Sequence, residues 1–413
     1  MLTPSPLWHP FTQHAAAPPP IPVARAKGAY LYDEHDRPVL DLISSWWTNL
    51  HGHGHPALVA AMAEQAGRLD HVLFAGHVHA PALALAEGLL KAAPGFARVF
   101  FSDNGSTAVE VALKMALQYM QNKGQPRRHR LAALRHGYHG DTFGAMAAGQ
   151  GSGFFTAFAK HLPPVDIVEP TAQAMAAYCA QHGDTLAGFI LEPLVQGAGG
   201  MRMYPAPEVR GWCETIRAAG GLVIFDEVMT GFGRTGTLFA TEQVGFTPDL
   251  LCLSKGITGG MMPLAVTLAT HDVFAAFLGQ DFSAAFAHGH SYTANPIACA
   301  VAVASLALLH EAKPALARIE AAHRRLLPEL LAACPKLHNP RITGTIAAVD
   351  FSADEAYGSA AGHAMRLRFW AAGLLLRPLN NTLYLMPPYC VTEAELEGAY
   401  GTVAGVLNAG SSS

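Results

Sequence analysis

The chain has 413 residues, a formal net charge of -4 and a sequence pI near 6.6. This length exceeds what one hydrophobic core usually supports, so we expect two lobes. Nucleic acid and anionic membranes are poor partners for it, because the sequence shows neither a basic field nor a run of like charges.

The cysteines and the N-terminal residues favour a cytoplasmic protein. Six cysteines are scattered without a Cys-x-x-Cys pair, which indicates neither a zinc cluster nor a disulfide framework. The start of the chain lacks the pattern of a signal peptide, and the apolar run 297–309 is too short to cross a bilayer. Hydrophobic residues make up 51% of the chain and charged residues only 14%, so we expect a homo-oligomer.

The N-terminal region predicts an extended arm and then a hairpin. Residues 1–28 are rich in proline, and residues 29–42 read as two strands around a polar turn. Trp46 and Trp47 follow in a glycine-rich loop. Two adjacent tryptophans cannot both face one core, so at least one is expected to line a cavity; the alternative is one core and one surface tryptophan.

Three alternating histidines, His51, His53 and His55, come next. On an extended segment they would share one face, which is a pattern that suits a metal ion. A metal site also needs a carboxylate or a second cluster, and none is obvious nearby. We therefore predict no metal here, and a metal-dependent hydrolase built on these histidines is the alternative from a different class of protein.

A junction between strand and helix predicts an anion site. Helical spacing covers 57–68 and 80–93, and a short strand at 98–102 leads through Gly105, Ser106 and Thr107 into a helix at 108–120. Glycine lets the backbone approach an anion, while free N–H groups, the helix dipole and hydroxyls attract it. The alternative is a simple helix N-cap.

The middle of the chain predicts a mostly parallel sheet that is buried on both faces, because apolar runs alternate with helices or long connections. The predicted strands cover 131–134, 187–191, 221–225, 249–253 and 263–269, and a helix covers 208–219. Glu192, Asp226 and Lys255 each follow the end of such a strand, so the fold should bring them to one edge. Tyr138 lies in the loop after another strand, where it can stack on a flat ring.

The C-terminal part predicts a smaller α+β lobe. Helices are expected at 298–309, 314–334, 358–372 and 393–408, a strand at 343–351, and paired strands within 374–388 around Asn380 and Asn381. The closing serines, 411–413, are expected to be a frayed tail. We expect three regions: an arm and hairpin (1–45) that joins the small domain, a large domain (46–297) and a C-terminal small domain (298–413).

An amine, a buried acid, a stacking aromatic ring and an anion cradle together describe a site for pyridoxal 5'-phosphate. Gly105 and Ser106 would hold the phosphate. Asp226 would keep the ring nitrogen protonated, and Lys255 would bind the aldehyde and later move a proton. A lysine at the mouth of a buried strand suits this role because desolvation lowers its pKa.

The motifs that carry this site resemble those of class III aminotransferases of fold type I, and the resemblance spans nearly the whole chain. They are SDNGS at 102–106, GYHG at 137–140, FDEV at 225–228, GFGRTG at 231–236, LSKG at 253–256 and HSYT at 290–293. Within that class, further stretches resemble the branch that makes 7,8-diaminononanoate in biotin synthesis. These are WHPFT at 8–12, SSWW at 44–47, QGAGGMRMY at 196–204, RPL at 377–379 and YLMPPY at 384–389.

The resemblance implies an α/β fold with a large, mostly parallel sheet, and a homodimer whose subunits share their active sites. It implies cofactor contacts beyond those above from His139, Glu192, Val228 on the ring face opposite Tyr138, and Ser291 of the partner subunit. The substrate-binding residues it implies are Phe11, Trp46, Trp47, Arg234, Gly289, Arg377 and Tyr384. It also implies a catalytic role for Lys255, Asp226 and Tyr138.

Two departures from that branch leave the amino donor less certain than the acceptor. Phe11 stands where some members have a tyrosine, and His290-Ser291-Tyr292 replaces Pro-Thr-Phe. The resemblance implies 8-amino-7-oxononanoate as acceptor and S-adenosylmethionine as donor. The alternative within the class is an aminotransferase that takes lysine, a diamine or β-alanine as donor.

Overall fold

A seven-stranded sheet forms the centre of the computed structural model, which describes residues 6–149, 155–351 and 360–409. Its strand order is β4-β12-β11-β10-β7-β5-β6. The strands are β4 (Phe96–Ser102), β5 (Arg130–Leu134), β6 (Asp166–Val168), β7 (Leu186–Leu191), β10 (Leu222–Asp226), β11 (Leu250–Leu253) and β12 (Ala265–Thr270). Only β12 runs antiparallel to its neighbours, so the α/β fold with a mostly parallel sheet is confirmed.

Three smaller sheets accompany the central one. One has the order β1-β2-β3-β15, another β13-β14-β16, and the third pairs β8 with β9. Their strands are β1 (Arg25–Lys27), β2 (Tyr30–Tyr32), β3 (Pro38–Asp41), β8 (Val195–Gln196), β9 (Arg202–Met203), β13 (Leu337–Thr343), β14 (Ile346–Phe351), β15 (Leu374–Leu375) and β16 (Thr382–Leu385). The first sheet joins the N-terminal hairpin to a C-terminal strand.

Helices cover both faces of the central sheet. They are α2 (Pro56–Arg68), α3 (Ala80–Ala92), α4 (Gly105–Asn122), α5 (Phe143–Ala148), α6 (Ala172–His182), α7 (Ala206–Ala218), α8 (Ala240–Val244), α9 (His271–Ala275), α10 (Pro296–Leu309), α11 (Lys313–Ala333), α12 (Ala360–Ala371) and α13 (Glu393–Ala409). Among the described residues no single helix is long and apolar enough to span a membrane; the bent pair α10 and α11 meets the length and composition criteria jointly, with a bend of 67°.

A left-handed turn, α1 (Ser44–Trp47), precedes these helices. Its four residues have φ values of 50°, 45°, 73° and 73°. Left-handed backbone costs an L-residue roughly 1–2 kcal/mol, so the surrounding contacts must offset a substantial strain. Strain of this kind is concentrated at functional sites.

Most predicted elements are present, but three expectations need correction. The turn predicted around Asn380 and Asn381 is present, with an antiparallel bridge between Leu379 and Thr382, but the flanking strands do not pair as a hairpin, because β15 pairs with β3 and β16 pairs with β14. The end of the arm belongs to a sheet rather than to a separate extended segment, since β1 pairs with β2. Helix α4 begins at Gly105 rather than at residue 108. The predicted residues 358–359 and 411–413 lie outside the described residues.

Burial of His323 makes the stability of the C-terminal part depend on pH. Its Nε2 donates to the Thr345 carbonyl at 3.2 Å and its Nδ1 accepts from the Tyr400 hydroxyl at 2.8 Å, so the neutral ring is satisfied. Burial lowers the pKa of His323 to about 4. The unfolded chain takes up the proton near pH 6.5, so this stability is complete above pH 6.5 and is lost as pH falls toward 4.

We therefore expect His323 to contribute roughly 3 kcal/mol to the loss of unfolding free energy between pH 7 and pH 4. Denaturant titrations of the wild type and of His323→Gln across this range would measure it. The variant should be less stable at pH 7 but should lose less stability on acidification. Parallel curves for the two proteins would show that His323 does not titrate on unfolding.

Candidate active site

Lys255 lies at the carboxyl edge of the central sheet, two residues after β11. Its backbone is left-handed, with φ at 46°, and this conformation directs the chain into the short helical turn Lys255–Thr258. The side chain lines a cavity of about 480 Å³, with Nζ 4.5 Å from the centre of the Trp47 ring. Burial lowers the pKa of the Lys255 ammonium, and the charges of Asp226 and Glu192 oppose that effect only in part.

Asp226 is the last residue of β10, and it forms a buried pair with His139. The Nδ1 of His139 donates to Asp226 Oδ2 at 2.7 Å, and the Val228 amide donates to Oδ1 at 3.0 Å. Burial lowers the pKa of His139, but the hydrogen bond to Asp226 and its charge outweigh burial, so the pKa is raised. The His139 Nε2 is buried and has no partner among the described residues.

Glu192 fixes the loop that carries Tyr138. One carboxyl oxygen accepts from the Tyr138 amide at 3.0 Å and the other from the Gly197 amide at 2.9 Å. Burial raises the pKa of Glu192 to about 7. Glu192, Asp226 and Lys255 all line the same cavity, so the predicted meeting of three strand-end side chains at one sheet edge is confirmed.

The predicted anion cradle lies at the start of α4. Gly105 and Ser106 line the cavity, whereas the Thr107 hydroxyl is engaged in a capping box with Asn104. The N-cap alternative and an anion site are thus compatible. A Cβ atom at Gly105 would lie 2.6 Å from Val228 Cγ1, and one at Gly140 would lie 2.0 Å from Ser106 Oγ. Only glycine leaves the floor of the cradle open here.

Tyr138 and Val228 line the cavity together, as the resemblance implies. The Tyr138 hydroxyl donates to Asp141 Oδ1 at 2.9 Å, and its ring stacks on Phe155 with centroids 6.0 Å apart and planes 23° apart. No residue pattern predicts the contact with Phe155, since this residue follows Tyr138 by 17 positions. Cavity residues that the sequence reasoning missed are Thr48, Asp103, Asn104, Met229 and the segment 260–264.

A second cavity, of about 360 Å³, is lined by Phe11, Trp46 and Arg377. The Arg377 guanidinium lies 4.3 Å above the Trp46 ring, and the Phe11 ring meets Trp46 edge-on at 5.9 Å. His363 and Arg366 from α12 line it as well, and among the described lining residues there is no carboxylate. Burial and the two arginines lower the pKa of His363. The cavity therefore carries positive charge suited to an anionic group.

Two of the predicted substrate residues lie behind the first cavity rather than on its lining. The buried Arg234 donates to the carbonyls of Pro387 and Asn49, both at 3.0 Å, and of Trp47 at 3.3 Å. The buried Tyr384 hydroxyl accepts from Trp47 Nε1 at 3.0 Å. Both side chains bond to Trp47, which lines the first cavity, and neither lines the first or the second cavity itself.

Gly289 and Ser291 are exposed, and neither lines the first cavity of its own chain. His290 next to them lies 3.4 Å from Asp103, which is at the cavity rim. A contribution of this segment to the site of a partner subunit stays a prediction.

The three alternating histidines serve three separate purposes. His51 Nε2 lies 3.0 Å from Ser305 Oγ, His53 Nε2 lies 2.9 Å from Asp41 Oδ2, and His55 caps α2. Among the described residues, no group of three histidine, cysteine, aspartate or glutamate side chains could hold a metal ion. The contacts of these histidines therefore do not support a metal-dependent hydrolase, because each histidine bonds to a different partner.

Comparison with known proteins places these residues in a family. The model for aminotransferase class-III matches residues 11–407. The adenosylmethionine-8-amino-7-oxononanoate aminotransferase of Synechococcus elongatus is 49% identical, over 97% of this chain and 98% of its own. The enzyme of the same name from Mycobacterium leprae is 40% identical, over 94% of this chain and 92% of its own.

Two solved structures share the fold. The adenosylmethionine-8-amino-7-oxononanoate aminotransferase of Methanocaldococcus jannaschii has a TM-score of 0.91 at 31% identity, covering 98% of this chain and 97% of its own. An amine transaminase from an uncultivated Pseudomonas species, in a PLP-bound form, has a TM-score of 0.89 at 32% identity, covering 98% of both chains. The match over nearly the whole length, together with the lysine and aspartate at one sheet edge, shows that this chain belongs to the class III aminotransferases.

Proposed function

We propose that this chain transfers an amino group from S-adenosylmethionine to 8-amino-7-oxononanoate, with pyridoxal 5'-phosphate as cofactor. The product would be 7,8-diaminononanoate, an intermediate of biotin synthesis. The observation that carries the chemistry is the single cavity in which Lys255 faces the Asp226–His139 pair. The names of the relatives that are 40% and 49% identical support the choice of substrates.

The cavity fits pyridoxal 5'-phosphate. The glycine cradle at Gly105 and Gly140 leaves room for a phosphate beside Ser106, where a Cβ atom would collide. The buried carboxylate of Asp226 suits a protonated ring nitrogen, and the Lys255 amine suits an aldehyde. When bound, the cofactor supplies an aldehyde that accepts amino groups and a protonated ring that stabilises negative charge.

Lys255 has two tasks in this proposal: it binds the cofactor covalently at rest, and it then moves a proton at the reacting carbon. The lowered pKa of Lys255 increases the fraction of neutral amine at working pH, which both tasks require. Trp47, 4.5 Å from Nζ, covers the amine and limits the access of water.

Asp226 would hold a proton at the ring nitrogen, and His139 holds Asp226. The hydrogen bond from His139 Nδ1 fixes one carboxylate oxygen and the Val228 amide fixes the other, and each oxygen can still accept a further hydrogen bond. Glu192 accepts from the backbone amides of Tyr138 and Gly197 and so holds the loop from which the Tyr138 ring would stack on the cofactor ring. These groups are arranged before the substrate arrives, which is how electrostatic catalysis is most effective.

The second cavity would take the carboxylate tail of the acceptor. The Arg377 guanidinium lies 4.3 Å from the centre of the Trp46 ring, and Arg366 adds a second positive charge. A guanidinium grips a carboxylate with two parallel hydrogen bonds.

Arg377→Met should raise KM for 8-amino-7-oxononanoate roughly 10- to 100-fold, because a hydrogen bond to a charged group contributes roughly 1.5–3 kcal/mol. Steady-state kinetics with a matched analogue that lacks the tail carboxylate provides the control. For that analogue the wild type and the variant should have similar KM values. An equal rise in KM for both acceptors would show that Arg377 does not bind the tail.

We also propose a cytoplasmic homodimer in which Ser291 and Gly289 of each subunit complete the site of the other. Their exposure outside the cavity of their own chain supports this arrangement. In the same proposal residues 46–297 form the cofactor-binding domain. Residues 298–413, together with 1–45, form the small domain, in agreement with the pairing of β3 with β15.

Product formation with a panel of donors tests the proposed reaction. Purified enzyme with bound cofactor is incubated with 8-amino-7-oxononanoate and either S-adenosylmethionine, lysine, β-alanine or a diamine. Mass spectrometry should detect 7,8-diaminononanoate with S-adenosylmethionine above the level found with the other donors. Product with lysine but not with S-adenosylmethionine would replace the donor and keep the acceptor.

A further inference from the structure

The left-handed turn α1 directs two adjacent tryptophans to two different cavities. Trp47 faces Lys255 in the first cavity, while Trp46 lies under Arg377 in the second. In a regular extended strand, adjacent side chains also point to opposite faces. Here the directions of Trp46 and Trp47 depend instead on four consecutive residues in a strained backbone conformation, so contacts outside the turn must stabilise it.

Asp41 holds the start of this turn. Its side chain is fully buried, and Oδ1 accepts from the amides of Ser45 at 3.0 Å and Ile43 at 3.2 Å. Its Oδ2 accepts from the Ser45 hydroxyl at 2.8 Å. A buried carboxylate that accepts this many hydrogen bonds is fixed in place and fixes its donors.

His53 closes the same network from the far side of the turn. Its Nε2 donates to Asp41 Oδ2 at 2.9 Å, and its Nδ1 accepts from the Asn49 side-chain amide at 3.1 Å. The His53 backbone forms two further hydrogen bonds with Gly28, at 2.7 Å and 3.0 Å, which anchor it to the N-terminal sheet. The ring therefore joins residues on both sides of α1, and neutral histidine satisfies both of its partners.

We propose that Asp41 and His53 are positioning residues that hold Trp46 and Trp47 in register with the two ends of the substrate. The inference rests on the proposed function, in which the reacting carbon lies near Trp47 and the acidic tail near Trp46. Neither Asp41 nor His53 lines either cavity, so they act through the tryptophans. This role also explains why His53, alone among His51, His53 and His55, bonds to a buried carboxylate.

His53→Leu tests the proposal, with His55→Gln as the matched control. His55 lies two positions away and caps α2, so its replacement disturbs the same segment without touching Asp41. We expect His53→Leu to raise KM for the acceptor about 10-fold or more, because displacement of Trp46 moves Arg377 from the place of the acidic tail, and to lower kcat less than it raises KM, because Trp47 beside Lys255 is displaced as well. His53→Gln, which keeps an N–H donor, should recover part of the loss, and His55→Gln should leave KM unchanged.

A double-mutant cycle separates positioning from a general loss of stability. If His53 acts through Trp46, then Trp46→Ala combined with His53→Leu should have the same KM as Trp46→Ala alone. Additive effects on KM would overturn the proposal. A rise in KM in His55→Gln equal to that in His53→Leu would overturn it as well.

A measurement on the tryptophans themselves does not depend on the reaction. The chain has five tryptophans, which can be labelled with 5-fluorotryptophan and assigned by single Trp→Phe variants. In His53→Leu the fluorine resonances of Trp46 and Trp47 should shift or broaden, while that of the buried Trp212 should stay in place. Unchanged Trp46 and Trp47 resonances would contradict the proposal, whereas an inactive wild type with the expected resonance changes would instead count against the proposed function.

Discussion

Lys255→Ala is expected to lower kcat by at least about 10⁴-fold, because one amine both binds the cofactor and moves the proton at the reacting carbon. Steady-state turnover with S-adenosylmethionine and 8-amino-7-oxononanoate measures the loss. Lys255 is the only lysine or arginine among the described residues that line the first cavity, so no other side chain there can replace its amine. The variant should still bind pyridoxal 5'-phosphate through the phosphate cradle.

Two controls separate this loss from a folding defect. Lys255→Arg keeps a cation but cannot bind the aldehyde, so it should be as inactive as the alanine variant. A small primary amine added to Lys255→Ala should restore part of the proton transfer. Borohydride reduction followed by peptide mapping should place the cofactor on the peptide that contains Lys255, and a label on another lysine would remove Lys255 from its assigned role.

Asp226→Asn is expected to lower kcat by roughly 10³-fold, because the neutral amide no longer holds a proton at the ring nitrogen. The fold should survive, since the amide oxygen can still accept from the Val228 amide, and the His139 ring can change tautomer so that Nδ1 accepts from the new N–H group. Thermal unfolding and the absorbance of the bound cofactor establish that the variant is folded and loaded before its kcat is measured.

Asp249→Asn is the matched control for this change. Asp249 is half-buried and precedes β11, at the opposite edge of the central sheet from Lys255, and it accepts from the Val223 amide at 2.8 Å. Its replacement should leave kcat within roughly twofold of the wild type, because it does not touch the cavity. A kcat for Asp226→Asn close to that of Asp249→Asn would remove Asp226 from the ring nitrogen.

The sequence predicted the central part of the site because a general rule of parallel sheets applied. Strand ends at Glu192, Asp226 and Lys255 could be read from apolar runs, and carboxyl ends of parallel strands meet at one edge. The cradle at Gly105 and Ser106 followed from a strand that turns directly into a helix. Each of these signals is local, which is why residue patterns were sufficient.

What the sequence could not predict depends on contacts between distant residues. His139 meets Asp226 across 87 positions, and Trp47 meets Tyr384 across 337. The turn predicted around Asn380 and Asn381 is present, but β15 pairs with the N-terminal sheet instead of with β16, a pairing that local turn preference does not reveal. The left-handed φ values of Trp46 and Trp47 were equally hidden, since tryptophan has no preference for that region.

The resemblance implies substrate contacts for Arg377, Arg234 and Tyr384. In the structure Arg377 lines the second cavity, whereas Arg234 and Tyr384 bond to Trp47 and line neither of the two cavities. A buried arginine that donates to three backbone carbonyls is a structural bridge, and only the fold shows which carbonyls it reaches. The three histidines looked alike in the sequence, and their separate partners distinguish them.

The two half-reactions, followed separately on one sample, test directly whether this enzyme transfers an amino group from S-adenosylmethionine to 8-amino-7-oxononanoate. S-adenosylmethionine is added to the purified enzyme with bound pyridoxal 5'-phosphate, excess donor is removed, and 8-amino-7-oxononanoate is then added while absorbance is recorded. We expect the donor to bleach the yellow enzyme and the acceptor to restore its colour with release of one equivalent of 7,8-diaminononanoate. An enzyme bleached by a donor but not restored by 8-amino-7-oxononanoate would contradict it.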